Sequence, residues 1–251
     1  MPLTPETGEA TYMAGGLVKK ILLLSDIHGH GDMAARIIAL HPDIDTILIA
    51  GDMTNFGSVD EARSVRARML SDGKPRAIYA VAGNCDPLSV RQYLKAEAID
   101  VEGSVCRLDF ASLAGAGGGL KRAGLTSFER TEAELEAALR QQLVQARART
   151  GDLHGSGSAR PLVVLTHSPP YGTNADMHGE AHVGSQAFAR LMLEFGPEVW
   201  ICGHIHESRC VSLEDGTLVV NPGPCSAGCY GILEIKEGPG GKSSARAYLS
   251  R

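Results

Sequence analysis

The sequence predicts an α/β protein in which two packed β-sheets are flanked by helices, and three observations lead there. Up to residue 202, short apolar runs alternate with stretches of helical periodicity. Those runs are continuous instead of alternating with polar residues, as strands buried on both faces of a parallel sheet are. Beyond residue 209 the pattern changes to hairpins, which implies a second, more antiparallel sheet at the end of the chain. With 251 residues the chain can bury a sizeable core, and one domain over 17–251 is the default reading.

Residues 1–16 are polar and rich in Gly, Pro and Thr, and read as a disordered leader or a cloning remnant. Ile21–Leu24, Thr46–Ala50 and Ala77–Ala82 are the first strands; Met33–Leu40, Val59–Ser71 and Leu88–Ala96 are the helices between and after them. Gly115–Gly119 is glycine-dense but lacks the Lys-Ser/Thr of a phosphate-binding loop, so it reads as a close-packed strand end. Glu132–Arg149 alternates acidic and basic residues around Leu135, Leu139 and Leu143, the pattern of an amphipathic helix with a solvated face. A flexible loop is expected over 151–158, then strand Leu162–Thr166, helix Ser185–Phe195 and strand Val199–Cys202. Cys210–Leu213 and Leu218–Asn221 flank Asp215-Gly216 as a hairpin, and Tyr230–Ile235 and Ala245–Leu249 are further strands.

Composition narrows the function. Hydrophobic residues make up 43% and charged residues 21%, the balance of an ordinary globular protein. A net charge of -5 and an aromatic content of 5% offer neither the basic footprint nor the stacking platform of a nucleic-acid binder, so nucleic acid is not an expected partner. The six cysteines include no CxxC pair, which argues against a zinc knuckle and a disulfide scaffold. No run has the character of a signal peptide or a membrane span, so no membrane association is expected and the cytoplasm is the expected location.

The chemistry lies at the strand ends. The apolar runs lead into Asp26 and His28, into Asp52, into Asn84, into His167, and into His204 and His206. In open parallel sheets ligands sit outside the carboxyl ends of the strands, so these groups converge in one crevice. Each has an ordinary explanation taken alone: an Asp after a strand is usually a cap, an Asn a turn residue, a His a surface imidazole. Five independent strand ends, each carrying a metal-binding side chain, are hard to produce by capping alone. Four imidazoles, two carboxylates and an amide oxygen suit borderline divalent ions: Mn first, then Fe, Zn, Ni or Co. One catalytic zinc takes three protein ligands, so seven imply two ions sharing a carboxylate. Two ions about 3.5–4 Å apart suit in-line displacement at phosphorus.

The order Asp-x-His-Gly (Asp26 to Gly29), Gly-Asp (Gly51, Asp52), Gly-Asn-x-Asp (Gly83 to Asp86), a strand-end His (His167) and Gly-His-x-His (Gly203 to His206) resembles the calcineurin-like metallophosphoesterases, over roughly Val18 to Pro224. The resemblance implies a four-layer αββα sandwich of two mixed β-sheets flanked by helices. It implies one ion held by Asp26, His28, Asp52 and His206 and another by Asp52, Asn84, His167 and His204, with Asp52 as the bridge. Many members carry His where this chain has Cys85; a neutral thiol, with a pKa of about 8.5, is a poorer proton donor than imidazolium. The Gly-Asn-Cys-Asp variant resembles a branch of small bacterial and archaeal phosphodiesterases. Cys85, His30 and His182 are therefore the candidates for catalytic contact with phosphate or leaving group, His182 because its segment resembles one in that branch. As ordinary residues they read as a spacer and two exposed histidines. Asn221-Pro222-Gly223-Pro224 resembles a turn that braces the site in relatives.

The resulting expectation is a binuclear metal-dependent phosphodiesterase acting on small nucleotide-like or cyclic diesters. A phosphomonoesterase of the same fold and a non-enzymatic retromer-like scaffold are the alternatives, and a DNA-repair nuclease is disfavoured by the absent basic track. The sequence carries no signal of oligomeric state.

Overall fold

The computed structural model describes residues 18–121, 124–148, 160–237 and 243–250. It opens with β1 (Val18–Leu24), α1 (Gly31–Ala39), β2 (Thr46–Ala50), α2 (Val59–Met69), β3 (Ala77–Val81) and α3 (Leu88–Ala96). The middle holds β4 (Cys106–Arg107), β5 (Ser112–Ala116), β6 (Gly119–Leu120), β7 (Glu129–Arg130), α4 (Glu132–Ala148) and β8 (Leu162–Thr166). Then come β9 (Met177–His178), β10 (Ala181–His182), α5 (Gln186–Phe195) and β11 (Val199–Ile201). The last strands are β12 (Cys210–Glu214), β13 (Thr217–Asn221), β14 (Gly231–Glu237) and β15 (Ser243–Leu249). The expected leader 1–16 and the loop 151–158 lie outside the described residues.

Strand periodicity sorts these elements into four layers. One sheet has the order β15-β14-β1-β2-β3, the other β12-β13-β11-β8-β5-β4. Leu22, Leu24, Ile47 and Ile49 pack with Ala34, Ile37, Val65 and Val90 of the first three helices. Their neighbours Ile21, Leu23, Leu48 and Ala50 turn the other way, onto Val163, Leu165, Val199 and Ile201 of the second sheet. Leu162, Val164 and Trp200 face Leu135, Leu139 and Leu143 of α4 and Phe188 and Leu191 of α5. Strands buried on both faces read as unbroken apolar runs for this reason. Three helices start where side chains cap them: Ser58 Oγ accepts from Glu61 N at α2, Ser185 Oγ from Phe188 N at α5, and Thr131 and Glu134 form a reciprocal capping box at α4. The expected αββα sandwich of two mixed sheets is the fold observed.

Two expectations change. The chain end forms no sheet of its own. The β12-β13 hairpin joins the second sheet through β13, parallel to β11, and the β14-β15 hairpin joins the first sheet antiparallel to β1. Both central strands had an open edge there, and edge pairing satisfies more backbone groups than a separate small sheet would. Second, β5 is a central strand, paired parallel to β8 and antiparallel to β4, yet its Ser-Leu-Ala-Gly-Ala sequence has little strand propensity. The hairpin read around Asp215-Gly216 is present, and both residues adopt positive φ (47° and 87°), as a two-residue primed turn requires.

Trp200 is fully buried between the second sheet and its helices, and its Nε1 donates to Thr166 Oγ1 at 2.9 Å. We expect Trp200→Ala to lower unfolding stability by about 3–5 kcal/mol, read as a fall in urea midpoint; an unchanged midpoint would mean this layer does not stabilise the fold.

Candidate metal centre

The five ligand-bearing strands end on the same side of the molecule, because β1, β2 and β3 run parallel in one sheet and β8 and β11 run parallel in the other. The loops beyond them are tied together by backbone hydrogen bonds. Asp26 N donates to Gly51 O, His28 N to Asp52 O and Gly203 N to His167 O, all at 2.9–3.1 Å. The turn read as a brace does bond this region: Asn221 Nδ2 donates to Ile205 O at 2.9 Å, and just beyond it Cys225 N and Ser226 N donate to Ser25 O and Asp26 O.

Ligand atoms converge in three overlapping groups. Those of Asp26, His28 and His206 lie within 4.8 Å of one another, as do those of Asp26, Asp52 and His167, and those of His28, Asp52 and Cys85. Asp52 Oδ2 is 3.8 Å from His28 Nε2 and 3.5 Å from His167 Nε2, while Oδ1 accepts from Cys85 N at 2.8 Å. Asn84 and His204 complete the cluster: Asn84 Oδ1 is 2.7 Å from His167 Nε2, and the His204 ring lies 4.9 Å from that of His167. Asp26, Asp52, Asn84 and His167 are buried, whereas His206 stands half exposed at the rim.

Asp26, His28, Asp52 and His204 all have positive φ, from 47° to 70°. Non-glycine residues rarely adopt this conformation, and it costs of order 1–3 kcal/mol each. The glycines of the motifs permit close approach: a Cβ on Gly83 would collide with the Asp52 carboxylate, and one on Gly203 with Ser25 Oγ and Asp26. Asp86 holds the strand ends together from behind. Its carboxylate accepts from Gly83 N, Met53 N, Thr54 N and Thr54 Oγ1 at 2.8–3.2 Å.

The donor set fits cations. His167 Nδ1 donates to Ala50 O at 2.8 Å, so Nε2 of the neutral ring is an acceptor, and it faces two further acceptors, Asn84 Oδ1 and Asp52 Oδ2. These three lone pairs can be bridged by a cation, or by a proton on Nε2. Asp26 Oδ1 is buried, and its nearest polar neighbour is His206 Nε2 at 3.2 Å. Burial, reinforced by the like charges of Asp26 and Asp86 and opposed by His167, pushes the Asp52 carboxyl up to about 6. Burial would also raise Asp26, but the His206 hydrogen bond, the charge of His167 and the Ser25 hydroxyl outweigh it and hold Asp26 well below the usual range. Burial alone would lower His167, yet the Asp52 and Asp26 carboxylates raise it. Protons thus stand in for cations at a site built for them.

His30 precedes α1, exposed, with Nδ1 on the carbonyls of His28 (2.9 Å) and Ile27 (3.2 Å). His182 lies on β10, with Nδ1 bonded at 2.6 Å to the fully buried Asp176, whose other oxygen accepts from Gly172 N and Gly184 N. Neither belongs to the three convergent groups. The His182 segment is linked to the rim: His178 pairs with Glu207, next to His206, and Ser208 Oγ donates to Met177 O. Sequence reasoning assigned no role to Asp86 or Asp176. The fixed spacing of Asp86 in Gly-Asn-x-Asp could have flagged it; Asp176 carries no such signal.

A family model described as calcineurin-like phosphoesterase matches residues 19–208, more than half of the chain. The uncharacterized protein MJ1162 of Methanocaldococcus jannaschii is 30% identical over 223 residues, 87% of this chain and 93% of that protein. Among solved structures, TT1561 of Thermus thermophilus superposes with a TM-score of 0.63 at 16% identity, over 92% of this chain and 99% of that one. A dimetal phosphatase of Danio rerio superposes with a TM-score of 0.58 at 11% identity, over 91% and 98%. At these identities the two structures establish a shared fold.

Asp86 touches no convergent group yet orders the loops that do. We expect Asp86→Asn, which puts an NH2 against backbone N–H groups, to weaken divalent metal affinity by about 10–100-fold, measured by equilibrium dialysis; unchanged affinity would remove it from the support of the centre.

Proposed function

The chain belongs to the calcineurin-like phosphoesterase family, and on that premise we propose that it is a metal-dependent hydrolase of small phosphodiesters, nucleotide-like or cyclic. The observation that carries this reading is the overlap of the convergent groups: Asp26, His28 and Asp52 each belong to two of them, the pattern of neighbouring ions that share ligands. One ion would be held by Asp26, His28, Asp52 and His206, the other by Asp52, Asn84, His167 and His204. Judged on the seven nitrogen and oxygen ligands alone, Mn is the first candidate, with Fe, Zn, Ni and Co as alternatives. When bound, two such ions supply Lewis-acid stabilisation of phosphoryl charge and a nucleophile from water.

The chain's own residues prepare this centre. The Ala50 carbonyl fixes the His167 tautomer so that Nε2 faces inward. The Cys85 amide engages one Asp52 oxygen and leaves the other for sharing. The half-exposed His206 side is the open approach for a substrate. Asp176 accepts a hydrogen bond from His182 Nδ1, which leaves Nε2 to meet solvent or a substrate oxygen, so His182 serves as a leaving-group or phosphate contact. The Cys85 thiol is pushed well above its ordinary range, by burial first and the Asp52 carboxylate second, and is a weak proton donor there. Leaving groups that need little protonation, such as aryl oxides, are therefore the better substrates.

The test pairs metal content with hydrolysis of bis- and mono-p-nitrophenyl phosphate in Mn. We expect two ions per chain, faster turnover of the diester, and a loss of about 100-fold or more in Asp52→Asn. A strong monoester preference would make it a phosphomonoesterase; a metal-free, inert wild type with Mn, Ni or Zn added would favour the scaffold.

A further inference from the structure

Cys85 occupies a position beside the cluster that the ligand assignment leaves out. Its side chain is buried, and Sγ lies within 4.8 Å of the inward-facing ligand atoms of both His28 and Asp52. Two contacts hold it there. The backbone N–H is engaged by Asp52 Oδ1 at 2.8 Å, and Asn84 Nδ2 approaches Sγ at 3.5 Å while Asn84 Oδ1 faces His167. The amide is thereby oriented with its oxygen toward the cluster and its NH2 on the sulfur, which keeps the sulfur from rotating away. A second feature of the same pocket also points to a cation: Asp26 Oδ1 is buried with only the half-exposed His206 Nε2 near it, at 3.2 Å, and its carboxylate shares His28 with the Cys85 group.

We propose that the Cys85 sulfur is an eighth donor, completing the coordination of the ion that His28 and Asp52 hold and biasing that position toward a thiophilic divalent ion such as Zn or Co over Mn. The inference rests on the metal-centre reading above and goes beyond it, since seven nitrogen and oxygen ligands alone do not discriminate against a hard ion. Thiolate is the ligating form, so coordination forms one sulfur–metal bond and releases the thiol proton to solvent. No electrons are transferred.

Cobalt reports the bond directly. Metal-free full-length protein would be titrated with Co(II) under reducing conditions and its absorption recorded for the wild type, Cys85→Ser and Cys85→Ala. We expect a near-ultraviolet sulfur-to-cobalt charge-transfer band in the wild type that is absent from both variants, although the other five cysteines remain. Zn affinity in the variants should fall by about tenfold, with Mn affinity nearly unchanged. Visible d–d bands showing bound cobalt without the charge-transfer band in the wild type, or a band that persists in Cys85→Ser, would overturn this inference and leave the metal centre standing. No cobalt binding at all would overturn both.

Discussion

Two buried carboxylates, Asp26 and Asp52, sit within reach of the same imidazole, and the rest of the structure is arranged around that unfavourable proximity. Like charges in a desolvated pocket repel and resist ionisation, which is why Asp52 is pushed up toward neutrality while Asp26, better supplied with donors, is not. A pocket that holds such a pair without cations is electrostatically incomplete. His167 and His206, both proposed as ligands, gain proton affinity in compensation.

Holding this arrangement costs backbone strain, and the fold supplies the rigidity that contains it. Four of the seven proposed ligand residues lie in the left-handed region, each just beyond a strand anchored between packed layers. The hydrogen bonds that cross from one strand end to the next, and the Asp86 carboxylate behind them, over-determine those dihedrals. The three core layers therefore act on the chemistry indirectly: they make strand ends stiff enough to keep unfavourable conformations populated.

Much of this was legible in one dimension. Runs such as Ile21–Leu24 and Leu162–Thr166 announce buried parallel strands because both faces are apolar, and the ligand residues stand directly after them. The helices lie within a few residues of their expected spans because Ser58, Thr131 and Ser185 cap them locally. What could not be read depends on partners far away in sequence. Ser112–Ala116 becomes a strand only because β8 is there to pair with it, and the final hairpins join whichever edges the earlier strands leave open. Asp86 bonds backbone amides of a distant loop and Asp176 those of its own, roles with no residue pattern of their own.

The position of β1 carries a consequence for biosynthesis. β1 is internal to its sheet, paired on one side with β2 and on the other with β14, which is translated far later. The Asp26 that follows it receives a hydrogen bond from His204 N, and Ser226 N bonds its carbonyl. A nascent chain emerging from the ribosome thus presents Asp26, His28 and Asp52 long before the strands that confine them exist. Sequence-distant pairings of this kind close late in folding. An ion held by the proposed ligands would then be captured only after those late pairings close.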